Sequence, residues 1–440
     1  MAKRILTLCL ALVIGIAFAM PAAAAVKSIK VGGDLTIRGI YRDNLDFGRL
    51  KATATSDGHS QSWLNQATRI WVGAELTDNV SVVVRLLNES DWDAESGTNT
   101  EVVLDLANIK MKDLFIPGFS ATLGRQEILL GNGFVVGNVN GITGNSLAGL
   151  ATDLTSRKAF DAWRLDYEVG TAPVTVTLFD AKVNETATGN ADLDLWGLNV
   201  GYKTDNLKIE GYALLLDNQT SASLINDNLY TYGARIDQNL SVVPGLNYNI
   251  EAAMQNGEAD GIKDKDGWAG FADVSYTFQN PMQPKLGASW YYGSGDKNAH
   301  VSDYTGNFVP LYPDGLSDRM GRVLYASMIN SELSFPSVCD VPGDNLSSPK
   351  IYGSIKPSEK HMLSLAWYPS TTVNTVAASS DSDELSSEID LGYSYQYTED
   401  VSFGLSLGYL KAGKAIKEVV TSAKFDDTAL EVLGTVAVSF

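Results

Sequence analysis

Basic residues recur on the polar side of segments in which apolar and polar residues alternate: Arg69, Arg85, Arg164, Arg235 and Lys285. Carboxylates share that side, among them Glu75, Glu89, Asp105, Asp166, Asp237, Glu251, Asp273 and Asp390. Facing water inside a closed wall, such a set either pairs internally and stiffens the wall or forms a charged constriction that selects solutes by sign. Facing lipid, an arginine costs about 2–4 kcal/mol at the bilayer midplane, so the alternation assigns these residues to a wet interior.

Other chemistry is poorly served. The three histidines lie apart, His59 and His300 in expected outer loops and His361 at the start of a strand, on its apolar side. A nucleophile and its base must meet in space, and no Ser/His/Asp arrangement is set up, so no enzyme is expected. Asp260, Asp264 and Asp266, followed by Gly267, have the alternate carboxylates of a calcium loop but lack its later glutamate and flanking helices. An acidic hairpin tip is the plainer reading, and neither a metal nor a cofactor is expected. The formal charge of −19 disfavours nucleic acid as a partner.

Residues 1–25 combine Lys3 and Arg4, an apolar stretch from Ile5 to Met20, and Pro21 before four alanines. This is the pattern of a cleaved signal peptide, with 26–440 as the exported chain. Cys9 falls in the leader, which leaves Cys339 as the single thiol and excludes an intramolecular disulfide.

The elements that must position the charges are strands. Ile389, Leu391, Tyr393, Tyr395 and Tyr397 alternate with small or polar residues, as do Val401, Phe403, Leu405, Leu407 and Tyr409, and Leu286, Ala288, Trp290 and Tyr292. Many of these segments run to 10–13 residues, beyond the ~5–6 of a globular strand and enough for the ~9–11 of a membrane strand. Trp63, Trp71, Trp196, Tyr202, Tyr276, Trp290 and Trp367 fall near the ends of apolar rows, where interfacial girdles belong.

Lipid offers backbone groups no hydrogen bonds, so a sheet in a bilayer must close. The alternation gives 18 strands, from residues 30–42 to residues 429–440. The expected fold is thus an all-β, transmembrane antiparallel β-barrel with short periplasmic turns and long outer loops, the longest being 129–157 and 294–345. In the fourth strand the apolar parity switches between Leu106 and Ile109, which predicts a bulge. Residues 320–345 suit a short helix or an extra strand pair, and 129–157 is the candidate for a loop that folds inward. Phe440 ends the apolar row of the last strand and is the expected recognition point for the outer-membrane assembly machinery.

Residues 124–137, Gly124-Arg125-Gln126-Glu127-Ile128 followed by Gly131-Asn132-Gly133 and Gly137, resemble the strand-to-loop motif of the alginate export family of outer-membrane porins. Ala159-Phe160-Asp161-Ala162-Trp163-Arg164 and the stretch from Trp290 to Pro313 are similar to later parts of that family. The resemblance implies an 18-stranded barrel in the bacterial outer membrane and places Arg125, Gln126 and Arg164 near the lumen or its mouth. Two functional expectations follow. The first is a channel for diffusion or export of small hydrophilic, including anionic sugar-like, solutes. The second is an occluded barrel whose outer loops bind an envelope partner. The partners expected are outer-membrane lipid and a small solute or oligosaccharide.

Overall fold

The structure, a computed structural model, describes residues 26–48, 60–92, 101–140, 152–185, 192–219, 227–259, 263–296, 304–330, 342–375, 382–420 and 425–440. The expected leader and Cys339 lie outside the described residues.

The wall begins with β1 (Ser28–Asp43), β2 (Ser60–Glu75), β3 (Val80–Asp91), β4 (Val102–Met111), β5 (Phe119–Gln126) and β6 (Phe160–Glu168). It continues with β7 (Val174–Asn184), β8 (Leu193–Lys203), β9 (Leu207–Asn218), β10 (Asp227–Asn239), β11 (Leu246–Ala259), β12 (Lys263–Thr277) and β13 (Lys285–Gly293). The two-residue β14 (Tyr304–Thr305) pairs in parallel with β12 and is not a wall strand. The wall resumes with β15 (Leu346–Ser358), β16 (His361–Thr372), β17 (Glu384–Gln396), β18 (Val401–Ala412) and β19 (Thr428–Ser439). Each wall strand pairs antiparallel with the next, β13 joins β15, and β19 returns to β1, giving a closed barrel of 18 strands.

Closure satisfies both would-be edges. Beyond the β1–β19 ladder, Gly33 and Phe440 exchange two backbone hydrogen bonds of 2.9 and 3.0 Å. The expected bulge is present in β4 but lies just before the switch between Leu106 and Ile109: Arg85 pairs with Leu106 and Leu86 with Leu104, leaving Asp105 as the extra residue. The insertion lets Asp105 join Leu106 on the inner side, where its buried carboxylate meets Arg85 at 2.5 Å.

The outward row carries the lipid-facing residues, including Leu178, Leu198, Leu365, Leu391 and Leu405, each at least 40% exposed. Trp196, Tyr202, Trp290 and Trp367 lie on this row as expected of a girdle. Near its periplasmic end His361 stacks on Tyr395 at 4.6 Å and its Nδ1 lies 2.8 Å from the Tyr393 hydroxyl. Trp63 and Trp71 depart from that expectation. Because Leu64, Ile70 and Val72 hold the outward positions of β2, both tryptophans turn inward. Trp71 lies across Gly32, whose missing side chain admits the indole, and Arg42 covers the Trp63 ring at 5.4 Å.

Inside the upper barrel, the described parts of both long loops fold inward and build a buried apolar core. Phe134, Val135, Phe308, Leu316, Met320 and Leu324 pack with wall residues Phe160, Phe179, Leu195 and Leu214. Within 320–345 the described residues form the helix α2 (Arg322–Asn330), which follows α1 (Leu316–Met320), and 331–341 lie outside the described residues.

Candidate functional site

Wall glutamates on the inner face hold the inward loops by their backbone N–H groups. Glu251, on β11, accepts from the N–H of Asn132 at 2.7 Å and from the Tyr212 hydroxyl at 2.9 Å. Glu210, on β9, accepts from the N–H of Gly131 at 3.0 Å. Glu388, on β17, accepts from Val323 and Leu324 at 2.7 and 3.0 Å, which caps the first turn of α2. Glu89, on β3, takes Ser156 N–H at 2.6 Å and Thr155 Oγ at 2.7 Å. The recurrence has a plain cause: a loop drawn into a barrel buries amides that need acceptors, and carboxylates on the alternate row supply them.

Two glycines make these approaches feasible. Gly131 sits at φ +56° with the Glu251 carboxylate where a Cβ would go, and Gly321, at φ +97° between α1 and α2, faces Glu388 in the same way. Gly131→Ala should therefore destabilise the barrel by about 1–3 kcal/mol through left-handed strain and displacement of the carboxylate. A lowered urea midpoint, read by loss of heat-modifiable gel migration, checks this.

Arg319 ties the inward segments together. Its guanidinium donates to the Asp314 carbonyl at 2.6 Å and to the Asn132 carbonyl, and lies over the Phe271 ring of β12 at 5.4 Å. Burial lowers its pKa, opposed by nearby Tyr291 and Glu251. Arginine remains charged under such conditions. Lys158 adds a 2.7 Å ion pair to Asp314.

The residues singled out in the sequence divide as follows. Arg69 pairs with Asp34 at 2.9 Å, Arg85 with Asp105 and Glu127, Arg164 with Asp166 at 2.8 Å, and Arg235 with Glu210 and Asp237 at 3.2 and 3.0 Å. All four arginines occupy the inner row, Arg69 and Arg85 on the paired strands β2 and β3, Arg164 on β6 and Arg235 on β10, and each is engaged by a carboxylate. Glu75 lies at the periplasmic end of the inner row, where it accepts from Ser28 Oγ at 3.1 Å. Gln126 is inward and buried, donating to the carbonyls of Thr122, Gly124 and Ala162.

Arg125 is a correction. It alternates with Leu123, which faces Trp163 on the outward row, and it pairs there with Asp161 at 2.5 Å. Period two puts Arg125 and Gln126 on opposite faces, so the motif cannot deliver both to the lumen. The acidic stretch from Asp260 to Asp266 is placed in part. Asp260 lies outside the described residues, while Asp264 and Asp266 are alternate residues of the extended strand β12, opposite Glu258 and Asn256. Their Cα atoms are about 6–7 Å apart at strand rise, without the wrap of a calcium loop.

Beneath the inward loops lies a cavity of about 730 Å³. Lys285, Lys350 and Arg322 face it, with Asp237, Asp273 and Asp318, and with Asn247 and Asn249 on another part of the wall. Tyr352 lies between the lysines, with Lys285 Nζ at 5.4 Å and Lys350 Nζ at 4.9 Å from its ring, and its hydroxyl donates to Asp273 at 2.8 Å. Lys350 also reaches Asp318 at 2.7 Å. Sequence reading missed Lys350, Arg322 and Arg42. The first alternates with Tyr352 and was legible as inner row; Arg322 comes from a helix within a loop, which strand periodicity does not reach.

A closed 18-stranded wall with an apolar exterior, a charged interior and loops folded into the lumen defines an outer-membrane β-barrel of the porin kind. The chain belongs to the alginate export family, described as "Alginate export", whose model matches residues 27–428. No curated protein sequence matches the chain. Among solved structures it is similar to OccK8 (OprE) of Pseudomonas aeruginosa, at 13% identity and a TM-score of 0.59, over 95% of this chain and 99% of that one. OpdQ of Pseudomonas aeruginosa gives 12% identity and a TM-score of 0.57, over 95% of this chain and 99% of that one. OccAB1 of Acinetobacter baumannii gives 13% and 0.56, over 96% and 98%. At such identities the structural likeness speaks for the fold, and the family match for the outer-membrane location.

Proposed function

We propose that the barrel conducts small hydrophilic solutes, anionic sugar-like ones among them, through a water-filled lumen narrowed by its inward loops. The observation that carries this is the polar cavity of about 730 Å³ below those loops, where Lys285, Lys350 and Arg322 meet Asp237, Asp273 and Asp318. Mixed charge of this kind keeps a lumen wet and weakly selective. Arg69, Arg85, Arg164 and Arg235 contribute by stiffening the wall through ion pairs, with the lysines as the cations nearer the solute.

Single-channel recording in a planar bilayer tests the reading, with a panel of charged and neutral sugars as blockers. Absence of ion current at every voltage and salt concentration would sink it. Replacing Lys285 and Lys350 together with alanine removes two charges worth on the order of 0.5 kcal/mol each at ~8 Å in water, or about fivefold together in the passage of an anion. The reversal potential under a salt gradient should shift toward cation selectivity.

The apolar core around Phe134 and Phe308 supports a second reading, an occluded barrel whose outer loops bind an envelope partner. Complete lack of conductance, with the fold intact, is the result that favours it. For the assembly machinery, Phe440 suits the proposed role: it ends the outward row of β19 and is 71% exposed.

A further inference from the structure

The correction at Arg125 exposes a feature of the outer wall. In register across strands, Arg125 faces Asp161, Asp161 faces Lys182, Lys182 faces Asp194, Asp194 faces Asp217, and Asp217 faces Asn228. These six residues form one row over β5 to β10, each one or two positions from the extracellular end of its strand. By alternation with Leu123, Leu178, Leu198 and Tyr230, the row lies on the face turned to the membrane. Successive pairs are closed by ion pairs, Arg125 with Asp161 at 2.5 Å and Lys182 with Asp194 at 2.7 Å.

The next outward row toward the periplasm reads Leu123, Trp163, Asp180, Trp196, Leu215 and Tyr230. Here a carboxylate stands between two tryptophans that contact edge to face at 5.7 Å, and Trp163 Nε1 donates to Asp180 at 3.2 Å. Tryptophan marks the boundary between hydrocarbon and headgroups. In the charged row just outside it, Asp194 is buried while Arg125, Asp161 and Lys182 are accessible, so these three are placed to meet headgroups rather than acyl chains.

We propose that this rim of β5–β10 binds the phosphorylated sugar headgroup of an outer-leaflet glycolipid. Arg125 and Lys182, on either side of Asp161, are the donors for phosphate, arginine through its planar fork and lysine as a point charge. The half-exposed Asp161 accepts from sugar hydroxyl or amide groups. A second copy of the chain is the competing occupant, and the wall below argues against it. The outward positions there return to Leu178, Leu198 and Tyr232, the same kind of apolar and aromatic row that the rest of the wall turns to lipid.

Native mass spectrometry of the purified full-length protein in detergent tests the assignment, with diphosphoryl lipid A as probe and phosphatidylglycerol as comparator. Wild type should prefer diphosphoryl lipid A. Arg125→Gln/Lys182→Gln should weaken that binding at least tenfold and leave phosphatidylglycerol unchanged. Heat-modifiable migration reports folding; should the double variant fail to fold, the single variants are read the same way, with a loss of a few-fold each. Equal affinity of variant and wild type overturns the proposal, as does equal preference for the two lipids. A change in oligomeric mass on substitution also overturns it and assigns the rim to a second copy.

Discussion

Replacing Glu251 with alanine should loosen the inward loop and raise both the mean conductance and the open-channel noise of the barrel. Glu251 is 1% exposed and serves two donors, the Asn132 N–H and the Tyr212 hydroxyl. Removing it leaves these donors buried without their acceptor and takes a negative charge from beside Arg235 and Arg319. Loss of such a buried, charge-assisted contact costs about 3–5 kcal/mol, comparable with what holds one loop in place. Glu251→Gln retains the shape and an acceptor oxygen and should lose about 1–2 kcal/mol, roughly a neutral hydrogen bond. Current recordings of the two variants, at matched salt and with heat-modifiable migration confirming closure, separate the roles. Identical traces for wild type and Glu251→Ala would show that the loop is held without this latch.

Arg42→Met should cost the wall about as much stability as Glu251→Ala. Arg42 is 1% exposed and binds Asp153 at 2.8 Å and Glu431 at 2.7 Å, while Glu431 also takes Arg322 at 3.2 Å. The cluster therefore joins β1, β19, the inward segment at 152–154 and α2 at the seam where the barrel closes. Methionine fills much of the volume but takes one cation from each of Asp153 and Glu431. Breaking a buried network in this way costs about 3–5 kcal/mol. Urea titration of folded protein in detergent should show the midpoint falling accordingly. The double variant Arg42→Met/Asp153→Asn should recover part of the loss, because it removes the Asp153 charge as well. A midpoint within error of wild type would contradict the proposed clasp.

The sequence by itself determined the solvent on each side of the wall, the number of strands and nearly all their boundaries. Period two is local: a strand that presents Leu391 to lipid must present Asp390 and Gly392 to the interior, whatever else the chain does. That β4 carries a bulge was legible for the same reason, since one extra residue reverses the parity of everything after it. That the described parts of 129–157 turn inward was readable as a candidate from the apolar content of the stretch, but the latches were not. Glu251 and Asn132 are 119 positions apart, and no local pattern marks a glutamate on the inner row as a loop acceptor rather than a lumen charge.

Tertiary structure alone decided which charges meet. Arg69, Arg85, Arg164 and Arg235 looked alike as inner-row cations, yet closure gives each its own carboxylate, while Lys285 and Lys350 come to flank Tyr352 beside the cavity. It also decided that Arg125 meets Asp161, that Arg42 covers Trp63 and Gly32 receives Trp71, and that Arg42 of the first strand joins Glu431 of the last. Alternation fixes the face of a residue, but its partner depends on strand register, on closure and on the path of loops that cross the lumen.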